Sequence, residues 1–121
     1  MNIVHGHILF DADGAEWNSK SLTASTTYYS TGFNSNHSNG YAALLVKTDA
    51  SITISFQLSN DDITYYTPVN TNGTDVSKIY TALAADAYII FSPQIAKFMR
   101  IKVVCNSNAT TTITYIHQEV I

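Results

Sequence analysis

The sequence predicts an all-β chain: a single-domain antiparallel β-sandwich, jelly-roll or immunoglobulin-like by strand count, about eight strands spread over residues 1–121. Three observations lead there. Ser, Thr and Asn number 37 of 121 residues while charged residues make up only 12%, so the surface must be largely hydroxyl and amide, which suits strands and turns better than helices. Apolar residues alternate with period two along Ile52–Leu58 and Met99–Cys105, the signature of half-buried strands. Turn-forming residues recur about every 8 to 12 positions, as in sandwiches and jelly rolls.

Ile3–Phe10 reads as a first strand, with Ile3, His5, His7 and Leu9 on one face and Val4, Ile8 and Phe10 on the other. Asp11–Asn18 breaks it. Ser21–Tyr29, rich in Thr and Tyr, reads as an edge strand or ordered arm. Gly32–Gly40 is a loop by composition. Tyr41–Thr48 is apolar at nearly every position, which fits a strand covered on both faces or a short buried helix; its length and the strand behind it favour the strand.

Ser51–Thr67 is the firmest stretch. Ile52, Ile54, Phe56 and Leu58 line one face of a strand, Ser59–Asp62 makes a turn, and Ile63–Tyr66 resumes as its hairpin partner. Pro68–Gly73 is a loop, and the alanine-containing Val76–Ala85 is the one segment with helical propensity, enough for a turn or two. Ala87–Phe91 is a compact strand, and Ser92–Gln94 breaks it. Lys97–Cys105 places Met99, Ile101, Val103 and Cys105 inward. Thr110–His117 closes the fold with Ile113 and Tyr115 on one side.

Motifs for chemistry are absent from the sequence. It carries no glycine-rich phosphate loop, nucleophile elbow or zinc-protease helix signature. Asp11, Asp13 and Glu16 echo the opening of a calcium loop, but Leu22 stands where the closing Glu is needed. His5 and His7 share a strand face and could meet His37 or His117, yet lack a ligand set of recognisable spacing. Asp61-Asp62 is explained by turn chemistry rather than by a glycosidase pair. No enzyme activity, metal or cofactor is expected. Cys105 reads as a buried structural thiol. A formal charge of −3 with six scattered Lys and Arg argues against nucleic acid, and no run is long enough for a membrane span. The start of the chain lacks a basic lead, which predicts folding in a cytoplasm. The motifs for N-glycosylation at Asn36, Asn72 and Asn108 then mark surface loops.

Aromatic residues remain as candidate binding elements: Trp17, Tyr28, Tyr29 and Phe33 would form a sugar-stacking or interface face if they converge.

Two segments, FQLSNDDITYYTPV (56–69) and FSPQIAKFMRIKVV (91–104), resemble a pattern of small β-sandwich proteins from tailed bacteriophages and prophages. In that pattern a strand leads into S-N-D-G-T-x-[WY], followed later by F-x-P and [YF]-[IM]-R-[IL]-K-V. Asp62 stands where the pattern has Gly. The resemblance implies a non-catalytic accessory part of a virion, of head-decoration or tail type, made in a bacterial host cytoplasm. Its partners would be further copies of itself, through sheet edges, and other virion proteins such as a major capsid or tail protein. KFMRIKV also resembles the last core strands of galactose-binding-like sandwiches, which keeps a glycan-binding module as the alternative.

Overall fold

A computed structural model of the chain describes residues 2–34, 42–92 and 96–120. These residues are all-β, with ten strands among them in two antiparallel sheets of five. In the first sheet β1 (Asn2–Ile8), β10 (Ala109–Val120), β5 (Ala42–Thr48) and β8 (Ala87–Phe91) lie in that order, and β2 (Lys20–Leu22) pairs with the start of β10. In the second, β3 (Thr27–Tyr29) and β4 (Phe33–Asn34) pair with β9 (Phe98–Cys105), followed by β6 (Ile52–Ser59) and β7 (Lys78–Leu83).

Alternation sets the core. The inner face of β9 buries Met99, Ile101, Val103 and Cys105, and that of β6 buries Ile52, Ile54 and Phe56. Leu44 and Val46 of β5 and Ile113 and Tyr115 of β10 answer them from the first sheet. Cys105 lies among these side chains, its thiol donating to the Ser107 carbonyl; burial pushes that thiol up from its usual pKa, which leaves little nucleophilic thiolate.

Several expectations are corrected. Ser21–Tyr29 is two short strands in different sheets, because the chain crosses between layers around Ser25, whose φ of 63° is left-handed. Both lie at sheet edges, as the edge-strand reading expects: β3 ends the second sheet and β2 pairs with β10 alone, beside β1, which pairs with β10 from Asn2↔Val120 to Ile8↔Thr114. Phe33 and Asn34, expected in a loop, add a short strand to β9. Residues 35–40 of that loop and 93–94 of the Ser92–Gln94 break lie outside the described residues.

The expected hairpin is also only half right. β6 forms as read, but Ile63–Tyr66 contributes a single bridge, in which Leu58 and Tyr66 exchange backbone hydrogen bonds of 2.9 Å. The second neighbour of β6 is instead β7, from the segment read as a helical turn. Pairing and β-branched Ile79 and Thr81 override the alanines there. The register shifts twice along β6–β7, and Ala82 sits at a φ of 54°.

Trp17 ties the layers together. It is fully buried, its backbone bonds Leu9 and Ile113, and its indole nitrogen donates to Thr111 Oγ1 at 2.6 Å. Its ring meets Tyr28 of the second sheet edge-on at 6.5 Å. Trp17→Ala is expected to cost about 3–5 kcal/mol, and Thr111→Val about 1–3 kcal/mol by leaving a buried indole donor unpaired. Denaturant midpoints with unchanged slopes would verify both; a Thr111→Val midpoint equal to wild type would refute the hydrogen-bond account.

Candidate functional site

The four aromatics singled out in the sequence do not converge on one face. Trp17 is a core residue and not an exposed platform. Tyr28 is half-buried against it, its hydroxyl accepting from the Thr23 amide at 2.9 Å. Tyr29, the next residue on the strand, points the opposite way and lies against Arg100. Phe33 packs on Tyr115 with ring centroids 4.4 Å apart. A sugar-binding face built from these four, led by Trp17, is not what the sandwich makes.

Nor do the acidic and histidine clusters form ligand sets. Asp11 is buried and ion-paired with Lys20 at 2.8 Å, a bond that raises the Lys20 pKa, while Asp13 accepts from the Ala15 amide. His5 stands opposite His117 across β1–β10 and stacks on it at 5.2 Å, and His7 stands opposite Tyr115 and meets it edge-on at 5.7 Å. Among the described residues, no group of three or more His, Cys, Asp or Glu is placed to hold a metal. His37 lies outside them.

The geometry does bring together the two resembling segments. Arg100 of β9 stacks its guanidinium between the rings of Tyr29, at 4.2 Å, and Tyr65, at 4.5 Å, and its Nε donates to Gln57 Oε1 at 2.8 Å. Tyr65 in turn donates to Asp62. Burial and the Asp62 carboxylate push the Tyr65 hydroxyl up in pKa, so it stays a donor. Asp62 has a φ of 59°, the left-handed region that glycine enters freely and aspartate tolerates. That explains why the pattern prefers Gly at this position, and what Asp adds: a hold on Tyr65. The loop settles so closely that a Cβ at Gly32 would collide with Asp62 and Tyr65.

Inside the loop, Ser59 Oγ accepts from the Asp61 and Asp62 amides and donates to Asp61 Oδ1. Asp61 Oδ1 accepts from the Ile63 and Thr64 amides at 3.0 Å each. The Thr64 amide first, then Ile63 and the Ser59 hydroxyl, hold the Asp61 carboxyl below the usual aspartate range. The paired carboxylates are loop-builders.

Two surfaces stand out among the described residues. The first is the outer face of the first sheet. Gly6, Ile116, Ala43 and Ile90 stand opposite one another in one row across β1, β10, β5 and β8, and Ile8, Thr114, Leu45 and Tyr88 in the next. Val4, Tyr88 and Ile90 are 65%, 57% and 72% exposed. Between them a shallow concavity of about 240 Å³ opens over Ala43 and Ile116. Tyr41 lies outside the described residues, and from Ala42 the strand forms as read: Ala42, Leu44 and Val46 pack in the core, while on the outer face Ala43 is buried and Leu45 half-buried beside exposed Tyr88 and Ile90. The signal was in the sequence, in the unbroken apolar runs of residues 42–46 and 87–91, which a strand half-facing water would interrupt. The second surface is an open cleft of about 410 Å³ beside the locked loop, lined by apolar Leu58, Tyr66, Pro68 and Ala96 together with polar Ser59, Asn60, Asp61 and Thr64.

Two predictions test the loop. Arg100→Lys keeps the charge but loses the planar stack; at about 0.5–1 kcal/mol per ring contact, it should lower stability by about 1–2 kcal/mol and speed amide exchange across residues 60–66. Equal exchange rates would show that the stack does not hold the loop. Asp61, with its depressed pKa, strengthens the loop fully above the unfolded value of about 3.9 and loses that contribution as pH falls through the lower folded value. The Thr64 amide proton should therefore titrate in NMR spectra with a midpoint below the ordinary aspartate range; a midpoint above it would contradict the assigned bonds.

No family model matches the chain, and no curated protein matches it in sequence. Among solved structures, the SPBc2 prophage-derived protein YomS is similar at a TM-score of 0.62 and 12% identity, covering 98% of this chain and 96% of that one. A structure from work on Bacillus endospore appendages that form disulfide-linked pili gives 0.48 at 14% identity, covering 100% and 89%. The carbohydrate-binding module CsCBM6-3 from Clostridium stercorarium, in complex with cellobiose, gives 0.39 at 11% identity, covering 98% and 92%. The first of these likenesses shows a shared fold: the sandwich of this chain is, nearly end to end, that of a prophage-derived protein.

Proposed function

We propose that the chain is a non-catalytic structural subunit of a tailed-phage or prophage particle, and that it packs against a second copy of itself through the outer face of the β1–β10–β5–β8 sheet. The observation that carries this is the apolar face itself, with Val4, Tyr88 and Ile90 standing in water around a shallow centre. The shared fold with a prophage-derived protein supports the setting, as does the resemblance in residues 56–69 and 91–104. Neighbouring capsid or tail proteins would be reached by the other surfaces.

Shape and size favour a second copy as the occupant. Exposed Tyr88 and Ile90 stand on β8 at one edge of the face and exposed Val4 on β1 at the other, with buried Ala43 low between them, a relief in which a two-fold operation would set the protrusions of one copy over the hollow of the other. Lys47 lies at its rim, and the two central rows carry no charge. At about 4.8 Å between strands and about 3.3 Å per residue, four strands by five residues give a footprint of roughly 300 Å². Face-to-face packing at about 10 Å sheet spacing would bury, with the rims, on the order of 1,000 Å² in total. That is the lower end for a specific interface, so a reversible dimer of micromolar dissociation constant is expected. Association by sheet edges, the expectation from sequence, stays open to β1, which ends its sheet and pairs with β10 on one side; the uncharged apolar rows favour the face.

Sedimentation equilibrium across a concentration series should show a monomer–dimer equilibrium. Ile90→Asp, which puts a charge on an exposed site, should abolish it at unchanged melting temperature. A monomer at all concentrations, or a dimer that survives Ile90→Asp, would overturn the proposed interface.

A further inference from the structure

The cleft beside the locked loop lies on the other sheet and takes no part in that interface. We infer that it is a binding site for a neutral saccharide, with Tyr66 as its stacking platform and Asp61 as its hydroxyl acceptor. Its lining is mixed in chemistry. Leu58, Tyr66, Pro68 and Ala96 are apolar, and Ser59, Asn60, Asp61 and Thr64 are polar. A sugar ring has the same division, with a C–H face that packs on an aromatic ring and a rim of hydroxyls that needs fixed partners. A volume of about 410 Å³ lies in the range of small-ligand sites.

The site is organised in advance. Tyr66 is 67% exposed, and its backbone is fixed by two bonds to Leu58, so the point from which the ring projects is set before a ligand arrives. Asp61 is fixed by Ser59, Ile63 and Thr64, and these bonds all fall on its Oδ1, which leaves Oδ2 as the acceptor offered to a ligand. Holding these groups before binding removes much of the ordering cost that makes weak sites weaker. The charge of Asp61 selects against phosphates, uronates and other anionic ligands. The cleft is too open and too polar for an apolar ligand.

Cellobiose, maltose, lactose and diacetylchitobiose, each titrated to tens of millimolar, should include at least one that shifts amide resonances of residues 58–68 and 96 in 15N-correlation spectra. Tyr66→Ala, which removes an exposed side chain only, should weaken that binding at least tenfold without lowering the melting temperature. Glucose 6-phosphate should shift the same amides less than the neutral sugar. The monomeric Ile90→Asp variant should bind the sugar as wild type does, so loss of the dimer and loss of sugar binding are read separately. Absence of shifts with all four sugars, shifts confined to another surface, or binding unchanged in Tyr66→Ala would overturn the proposal.

Discussion

The burial of Trp17 is the constraint on which the rest of the sandwich depends. The β1–β2 connection has to bring a large ring between the sheets, and it does so by continuing the backbone bonding of β10 past the end of β1, from Leu9 to Ile113 and from Ile113 to Trp17. Once there, the indole has one polar atom to satisfy, and Thr111 supplies the acceptor. Tyr28 then closes on it from the opposite layer, and Lys20, ion-paired to buried Asp11, lies over the outer part of the Tyr28 ring at 5.8 Å. A residue that looked like a binding platform is the joint of the fold because its single hydrogen-bond donor found an internal partner, which is how a buried Trp escapes the cost of desolvating its nitrogen.

What was legible in the sequence follows from how local each signal is. Period-two alternation is local, so β6 and β9 and their inward residues could be read directly. The partner of a strand is not local: β6 turned toward Tyr66 for one bridge and then found β7 some twenty residues on, past a loop that the Ser59 and Asp61 side chains had already stabilised on their own. The misreading of Val76–Ala85 has the same origin, since alanine propensity amounts to tenths of a kcal/mol per residue and a ladder of cross-strand bonds outweighs it. Aromatic residues are harder still. Trp17, Tyr28, Tyr29 and Phe33 are identical in kind but divide among the core, a cation sandwich and an aromatic cluster, because the strand pleat sends neighbours to opposite faces.

The two outer faces of the sandwich differ, and the difference carries the functional argument. On the second sheet, Arg100, Gln57 and Tyr29 form a polar, stacked surface that the loop bearing Tyr65 covers. On the first sheet, nothing among the described residues covers Tyr88 and Ile90. A sheet in water is normally polar on its free side, and β5 and β8 depart from that rule together, at residues that stand directly across from one another in register. Scattered exposed apolar residues need no explanation, but a contiguous block across four strands does.

The same asymmetry explains why one small chain can offer two separate surfaces. Locking the 59–66 loop with side-chain acceptors frees it from needing a β-partner of its own, so Tyr66 and the polar residues beside it are presented rigidly at one side of the second sheet. The apolar face of the first sheet lies across the thickness of the core. Because no residue is shared between the two, a contact on either surface leaves the other open. A subunit fixed in an assembly through its apolar face would therefore keep its cleft toward solvent, and the rigidity that Arg100 and Asp61 give the loop would keep that cleft in shape without support from a neighbour.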